Sequence, residues 1–381
     1  MKIGIIMDTS LDLNDGVQQY VMAMGEWLRS AGHDVHYLVG ETNERALPNI
    51  HSLCRNINVR FNGNRISIPL WADRRKVKQL LAAEDFDVLY VTTPHHPLMA
   101  QYIITHASAR TAVVGIFHIL PYNWFAKVSN RLLSVLLRPS LRRIDQMFAV
   151  SSSAKDFAEW SFNLPSGVSP NVIEYSRFAD AKPFEKYTDN TLTILFLGRL
   201  VERKGCRYLL EAVAQLDRTK LPKFRVVICG KGELLDDLQK YTKQIGIEDI
   251  VEFTGFVTEE DKPRYYASAD LSVFPSTSGE SFGIVLLEAM ASGNAAVLAG
   301  DNPGYATVME PRPELLFNPK DTGKLAAMLT EYLTNDQKRK KVATWGKAYT
   351  AKFDIEVVGP QLVEIFEKII AKRQQTQDNT K

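Results

Sequence analysis

The sequence predicts an α/β protein built from two doubly wound, Rossmann-like domains. Three observations carry this. Short apolar runs, read as buried parallel strands, alternate with stretches of helical period. The alternation lapses once, between Asn163 and Thr191, and then restarts. And 381 residues are more than one core usually organises.

"KIGIIM" (Lys2–Met7) is an unbroken apolar run, hence a strand buried on both faces. A loop with Asp15-Gly16 leads into "VQQYVMAMGEWLRSAGH", where Val17, Tyr20, Val21, Met24, Trp27 and Leu28 follow helical spacing. Gly32 stops that helix, and "DVHYLVG" is the next strand. "VLYVTT", "TAVVGIF" and "QMFAVS" repeat the strand pattern, each after a helical stretch. "NLPSGVSPN" and "DAKPFEKYTDN" are rich in Pro, Asn, Asp and Ser without periodicity, and read as the connection. Strands "LTILFLG", "FRVVICG", "IVEFTGF", "LSVFPS" and "NAAVLAG" then alternate with helices "CRYLLEAVAQL", "LLDDLQKYTKQIG" and "GIVLLEAMASG". A long helical stretch runs from Lys324 to Phe353. The domains are expected at 1–178 and 179–355, with a last helix over 356–371 and a disordered polar tail over 372–381.

Composition narrows the function classes. With 45% hydrophobic and 24% charged residues the chain reads as soluble and globular. A net charge of +2 gives no argument for nucleic acid. Cys54, Cys206 and Cys229 are widely spaced without a CxxC, which implies no disulfide framework or zinc site and fits a reducing compartment. Asp8 interrupts the first apolar run too early for a signal peptide. No stretch approaches the roughly 20 apolar residues of a membrane span, so any membrane contact is expected to be peripheral.

The chemistry-bearing stretches lie at strand ends, where α/β sheets bind ligands. In "GESFGIVLLEAMASG" a helix is expected to start near Phe282–Gly283. Glu280 then stands at its mouth and Glu288 on its second turn. Open amides at such a mouth favour anions, and each carboxylate suits paired sugar hydroxyls. The competing reading is a helix cap and an ordinary helix residue. In "LFLGRLVERKG", Arg199 and Lys204 follow a strand and could neutralise a diphosphate without a metal; Arg203 reads rather as solvated. Gly230 and Gly232 of "GKGE" allow close backbone approach, although only half of a GxGxxG is present. In "FTGFV" the backbone of Phe256 and Val257 could read a base edge. In the first half, Gly16 at a helix start could admit a phosphate, and His118 follows a strand. For these positions the alternatives are plain turns and a structural histidine.

Together, "GRL…KG", "GKGE", "FTGFV" and "GESFGIVLLEAMASG" resemble the GT-B glycosyltransferases of family 4 in order and spacing, with Glu280 and Glu288 similar to their E-x7-E motif. More narrowly, "DGVQQYV", "RRKVKQLLAAEDFDVLYV" and "LRPSLRRIDQMFAVS" resemble stretches of the actinobacterial phosphatidylinositol alpha-mannosyltransferases. The resemblance implies a GT-B fold: two Rossmann-like domains facing across a cleft, and a C-terminal helix that returns to the first, acceptor-binding domain. It implies a nucleotide sugar on the second domain, with Arg199 and Lys204 on the diphosphate and Glu280 on the sugar hydroxyls. The amides of Ser281, Phe282, Gly283 and Ile284 would meet sugar and phosphate, and Glu288 the ribose. Gly16 would approach the diphosphate and His118 the sugar. It implies retention of anomeric configuration, with no cofactor and no metal. Three departures bear on the acceptor rather than on transfer: "TTP" at Thr92–Pro94 in place of "HEP", "SPNVIE" at Ser169–Glu174 without the usual glycine, and Asp15 in place of a glycine.

A membrane surface is also expected. Arg74, Arg75, Lys76 and Lys78 crowd one helix start. Lys127, Arg131, Arg138 and Arg142 form a stripe beside Val128, Leu132, Val135 and Leu136, inside a segment, Val88–Ile144, that has no Asp or Glu. Such elements suit anionic headgroups; the plainer reading is a solvated face. The leading expectation is a bacterial enzyme moving mannose from GDP-mannose to a membrane phospholipid such as phosphatidylinositol. It would be cytoplasmic, peripheral on the inner face of the plasma membrane, with no nucleic-acid partner. A family 4 enzyme using a UDP- or other NDP-sugar and a soluble or polysaccharide acceptor is the alternative. A non-catalytic sugar-nucleotide binder and a dinucleotide oxidoreductase fit less well, the latter for want of a full GxGxxG.

Overall fold

The structure, a computed structural model, describes residues 1–12, 16–61, 64–120 and 124–378; for 58–61, 64–68, 70–71, 124–127 and 377–378 it describes the backbone alone. Two compact units result: Met1–Val172 with Ile355–Lys381, and Ile173–Asp354.

In the first unit the elements are β1 (Lys2–Met7), α1 (Gly16–Ser30), β2 (Asp34–Gly40), β3 (Ile50–Phe61), β4 (Asn64–Ala72), α2 (Arg74–Glu84) and β5 (Val88–Val91). There follow α3 (Met99–His106), β6 (Ala112–Phe117), α4 (Trp124–Leu141), β7 (Gln146–Ala149), α5 (Ser152–Phe162) and β8 (Ser166–Val168). The sheet order is β4-β3-β2-β1-β5-β6-β7-β8. All its pairs are parallel except β3 with β4. That antiparallel pair is absent from the sequence reading. Its strands mix polar and apolar residues, and the Asn62-Gly63 pair that could have announced a hairpin lies outside the described residues. Helices α2 to α5 pack in succession. Under them lies a core of Ile6, Leu38, Val91, Met99 and Ile103. Asp73 caps α2, accepting from the amides of Arg75 and Lys76.

The second unit holds α6 (Tyr175–Ala179), β9 (Leu192–Leu197), α7 (Cys206–Ala214), β10 (Phe224–Cys229), α8 (Leu235–Gln244), β11 (Val251–Gly255) and α9 (Lys262–Ala267). It continues with β12 (Leu271–Phe274), α10 (Ile284–Ala291), β13 (Ala296–Gly300), α11 (Pro303–Met309), β14 (Leu316–Phe317), α12 (Thr322–Thr334) and α13 (Asp336–Thr350). Its sheet is wholly parallel, in the order β11-β10-β9-β12-β13-β14. The stretch expected as one long helical run is two helices, because the Asn335 side chain accepts from the Lys338 amide and starts a new one.

The last helix, α14 (Ile355–Asp378), belongs to the first unit and packs on α1. Gly359 lets it approach the Trp27 ring so closely that a Cβ there would stand 2.6 Å from it. Phe366 is fully buried against Tyr90. For 372–378 the expected disorder is corrected, since the helix continues to Asp378; residues 379–381 lie outside the described residues. Arg373 anchors it with paired bonds to Asp145, both at 2.7 Å, and a third to the Ala109 carbonyl at 2.9 Å.

Candidate active site

In the second sheet the order places β9, first in sequence, beside β12, fourth in sequence. Loops leaving these neighbours diverge to opposite faces, and the crevice between them is where such sheets take ligands. The loop after β9 carries Arg199, Arg203 and Lys204; the loop after β12 runs from Pro275 to Gly283. The two are laced together. The Arg203 carbonyl accepts from the Thr277 amide at 2.8 Å and from Ser276 Oγ at 3.1 Å.

Glu280 is the focus. Its Oε1 accepts from Lys204 Nζ at 2.8 Å, Arg203 Nη1 at 2.9 Å and Ser276 Oγ at 2.7 Å. None of these contacts uses Oε2. Burial opposes ionisation of Glu280, but Lys204, Arg203 and Ser276 outweigh it and hold the carboxyl below its ordinary value. Lys204 is lowered, first by burial and further by Arg203 and Arg199, with Glu280 opposing. Two cations therefore hold one carboxylate while Arg199 acts on Lys204 beside it, and an anion entering the crevice relieves the mutual repulsion of the three. Arg199 itself is exposed. The expectation that Arg203 is solvated is corrected: the turn Glu202–Lys204 directs it inward, onto Glu280 and the carbonyls of Ser278 and Gly279.

Beyond Glu280, Phe282 is buried against Phe353. Gly283 takes φ +112°, a region closed to most residues, and turns the chain into α10. The first amides of α10, after Ser281 and Gly283, are thus presented at the crevice end of the helix. Glu288 stands on its second turn, buried, accepting from Lys262 Nζ at 2.7 Å and the Tyr266 hydroxyl at 3.1 Å. Burial alone would lower Lys262; Glu288 and Glu259 outweigh it and raise it. Lys262 was not foreseen. A glutamate inside an apolar helix needs a partner, but nothing local says which residue supplies it.

Gly230 and Gly232 have a packing reason of their own. A Cβ at Gly230 would stand 1.9 Å from the Gly198 carbonyl oxygen, and one at Gly232 2.2 Å from that of Leu200. Phe256 is 56% exposed after β11, with Lys231 Nζ 5.7 Å from its ring centre, and Val257 is half-buried beside it.

In the first unit, Gly16 opens α1 and is exposed, whereas Asp15 lies outside the described residues. His118 leaves β6 and is buried, its ring edge-on to Tyr20 at 4.9 Å. Burial lowers it to about 3, with Asn171 opposing, so it is uncharged at neutral pH. Arg74, Arg75, Lys76 and Lys78 are exposed along the start of α2. Arg131 is exposed on α4, its guanidinium 5.2 Å over the Trp160 ring and bonded to the Trp160 carbonyl; the Lys127 side chain lies outside the description.

The chain matches the family described as Glycosyl transferases group 1 over residues 178–349, and that described as Glycosyltransferase Family 4 over residues 14–177. It is 31% identical over 377 residues to the phosphatidyl-myo-inositol mannosyltransferase of Mycobacterium tuberculosis, covering 97% of each chain. The protein of that name from Mycolicibacterium smegmatis is 31% identical over 376 residues, 97% of this chain and 94% of the relative. Among solved structures, Anabaena HepE, determined with UDP, superposes with a TM-score of 0.78 at 19% identity, over 97% of this chain and all of the other. Both units thus have the Rossmann-like architecture of the GT-B fold.

Proposed function

The chain belongs to glycosyltransferase family 4, and from that premise we propose that it is a retaining, metal-independent mannosyltransferase that carries mannose from GDP-mannose to a membrane phospholipid such as phosphatidylinositol. Glycosyl transfer follows from the family; the donor, the stereochemistry and the acceptor are the proposal. The observation that carries it is the Glu280 carboxylate held by Lys204 and Arg203 at the switch point of the second sheet. That arrangement offers a hydroxyl acceptor beside a cationic seat, which is what a sugar diphosphate requires.

In this reading Arg199 and Lys204 neutralise the diphosphate in place of a metal. Glu280 Oε2 accepts from the sugar, with Arg203 fixing the carboxylate. The amides of Ser281 to Ile284 meet sugar and phosphate, and Glu288 meets the ribose beside Lys262. Gly230, Gly232, Phe256 and Val257 border the nucleoside. Gly16 and His118 are the first unit's contributions to the diphosphate and the sugar. The anomeric carbon–oxygen bond to the diphosphate breaks as a bond to the acceptor hydroxyl forms on the same face. The hydroxyl proton passes to the departing phosphate oxygen.

The lipid acceptor is supported by the names of the relatives and by the first unit's surface. Leu132, Val135 and Leu136 on α4 are 69%, 55% and 78% exposed, an apolar ridge facing outward beside Arg138. Helix α3 packs against both α4 and the basic α2. Apolar residues flanked by cations suit the interface of an anionic bilayer, each cation contributing about 1 kcal/mol near it. No helix among the described residues is long and apolar enough to cross a membrane. We assign it to the inner face of the plasma membrane, where its three free, buried thiols stay reduced.

The test is transfer of radiolabelled mannose from GDP-mannose to phosphatidylinositol vesicles, with and without a chelator. An α-linked mannolipid formed at equal rate in both is expected. Label transferred only from a UDP-sugar, or only to a water-soluble acceptor, would replace this reading with the alternative donor and acceptor.

A further inference from the structure

The amino edge of the first unit's sheet, opposite to the edge where such sheets take ligands, holds a histidine pair that transfer does not use. His51 on β3 stands opposite Leu38 of β2, and His36 lies two residues before Leu38, so both imidazoles point to one face. Their rings are parallel to within 5° with centres 5.2 Å apart, and His36 Nδ1 meets His51 Nε2 at 3.0 Å. His36 is buried and His51 half-buried. Charged groups face the pair from every neighbouring element. Asp34 of β2 brings Oδ1 to 3.2 Å from His36 Nε2, and Glu84, the last residue of α2, brings Oε2 to 3.8 Å. Lys2 of β1 holds Glu84 at 2.9 Å and reaches Asp34 at 3.9 Å, while its amide donates to Asp87 Oδ2 at 2.6 Å. Asn49 Nδ2 donates to Asp34 Oδ1 at 3.3 Å, and Phe86 lies edge-on to His36 at 5.3 Å.

A contact of 3.0 Å between two ring nitrogens needs one hydrogen between them: one ring donates and the other accepts. With both rings neutral, His36 Nε2–H faces Asp34, and His36 Nδ1 accepts from His51 Nε2–H. One added proton fits, because either ring can carry it and donate to the other, with Asp34 and Glu84 alongside. A second proton does not fit. Two N–H groups would then oppose each other across the contact, and two positive charges would share a half-buried place. Burial, and next the His36 ring, lowers His51, with Glu84 opposing. The two protons are therefore taken up in separate steps, the later one in acid below the ordinary histidine range.

We infer that the His36–His51 pair is an acid-released latch on the outer strands of the first sheet: neutral or singly protonated it ties β3 to β2, and doubly protonated it lets β3, with its antiparallel partner β4, part from β2. The latch is independent of the transfer reading. Its effect is local. β4 ends at Ala72, next to the Asp73 cap of α2, and Glu84 closes the same helix, so release loosens the seat of Arg74, Arg75, Lys76 and Lys78. A parted β3 returns His51 to its ordinary affinity for protons, whereas the closed strand holds it lower. Opening therefore takes up a proton. It becomes easier as pH falls from the ordinary histidine range toward the lowered value, by up to about tenfold per pH unit.

Hydrogen exchange of the full chain, corrected for the intrinsic rate at each pH, tests the latch. Protection of the amides of 50–57 is expected to fall by about tenfold or more between about pH 7.5 and about pH 5, on either side of the ordinary histidine value, while β9 to β12 of the second unit keep theirs. His51→Gln, which keeps a neutral hydrogen-bonding group and takes no proton, is expected to show equal protection at both pH values. Scalar coupling between the facing nitrogens of His36 and His51 should be present in the wild type at the higher pH and lost at the lower. Equal wild-type protection at both pH values overturns the inference, as does a fall of the same size in His51→Gln. A loss of protection spread over both units at the lower pH is ordinary acid unfolding and overturns it too. Where His51→Gln already frees β3 at the higher pH, the nitrogen coupling of the wild type decides. Its loss in step with protection supports the latch, and its persistence at the lower pH overturns it.

Discussion

Glu280 is half-buried among Lys204, Arg203 and Ser276, and its ionised form depends on them. Because its folded-state pKa is depressed, its contribution is present above the ordinary carboxylate range and is lost as pH falls through the depressed value. Glu280→Gln is therefore expected to lower stability at pH 7, on the order of 3 kcal/mol since two cations lose their partner. The gap to the wild type should close as pH falls through that depressed value, which denaturant midpoints at several pH values measure. Glu280→Ala should also abolish transfer while the fold persists. Lys204→Ala should weaken nucleotide binding tenfold or more, whereas Arg203→Ala should lower kcat with little change in donor affinity. Asp8 has the opposite sign. Its pKa is raised, so folding becomes less favourable as pH climbs above the ordinary carboxylate range. Asp8→Asn should stabilise the chain more at pH 8 than at pH 4, by the same midpoints. Glu280 and Lys204 were legible because motif spacing fixes their place at strand ends. Arg203 was not: "GRLVERKG" holds three cations, and only the turn closed by Gly205 decides which of them face the carboxylate. Lys262 reaches Glu288 from 26 residues upstream, a pairing set by tertiary packing that no local pattern carries.

The elements around the crevice are held by backbone as much as by side chains. Gly230 sits at φ +147°, its amide donating to the Gly255 carbonyl at 2.8 Å, while the Gly198 carbonyl fills the space of a Cβ. Gly230→Ala meets both a disfavoured backbone region and a carbonyl that cannot move without breaking the β9–β10 edge. A loss of more than about 2 kcal/mol in urea unfolding is expected. Retained nucleotide binding in that variant would show that the glycine serves packing alone. The parallel strands were legible for a simple reason: burial on both faces forces apolar runs such as "LTILFL" and "FRVVIC". The β3–β4 pair was not, because its members alternate in composition and pair with each other rather than through a helix. The division at Asn335 was also hidden, since helical period continues on both sides and only the side-chain cap on the Lys338 amide marks the break.

At the scale of the whole chain, the path leaves the first unit after Val172 and returns to it at Ile355. The two crossings are neighbours. Ile173 bridges Asp354, and the Ile173 amide donates to the Phe353 carbonyl at 3.0 Å. One unit is thus an insertion in the other, and the first is completed only by a helix made last. Charge and polarity hid how far that helix extends, because "KRQQTQDNTK" has no apolar period and Arg373 acts through a distant carboxylate. The consequence is a separable dependence. Phe366 is wholly buried on Tyr90, and burial of that kind is worth about 3–5 kcal/mol when the ring is cut back to Ala. Deleting 355–381 removes Phe366, the Gly359–Trp27 contact and the Arg373–Asp145 pair together, more than a domain of ordinary stability can lose. Calorimetry of the truncated chain should show one transition where the full chain shows the melting of both units, and GDP should still raise that transition. Loss of the GDP response along with the first unit's melting would mean that the two units do not fold independently; Phe366→Ala, a milder lesion, should lower the first unit's transition alone.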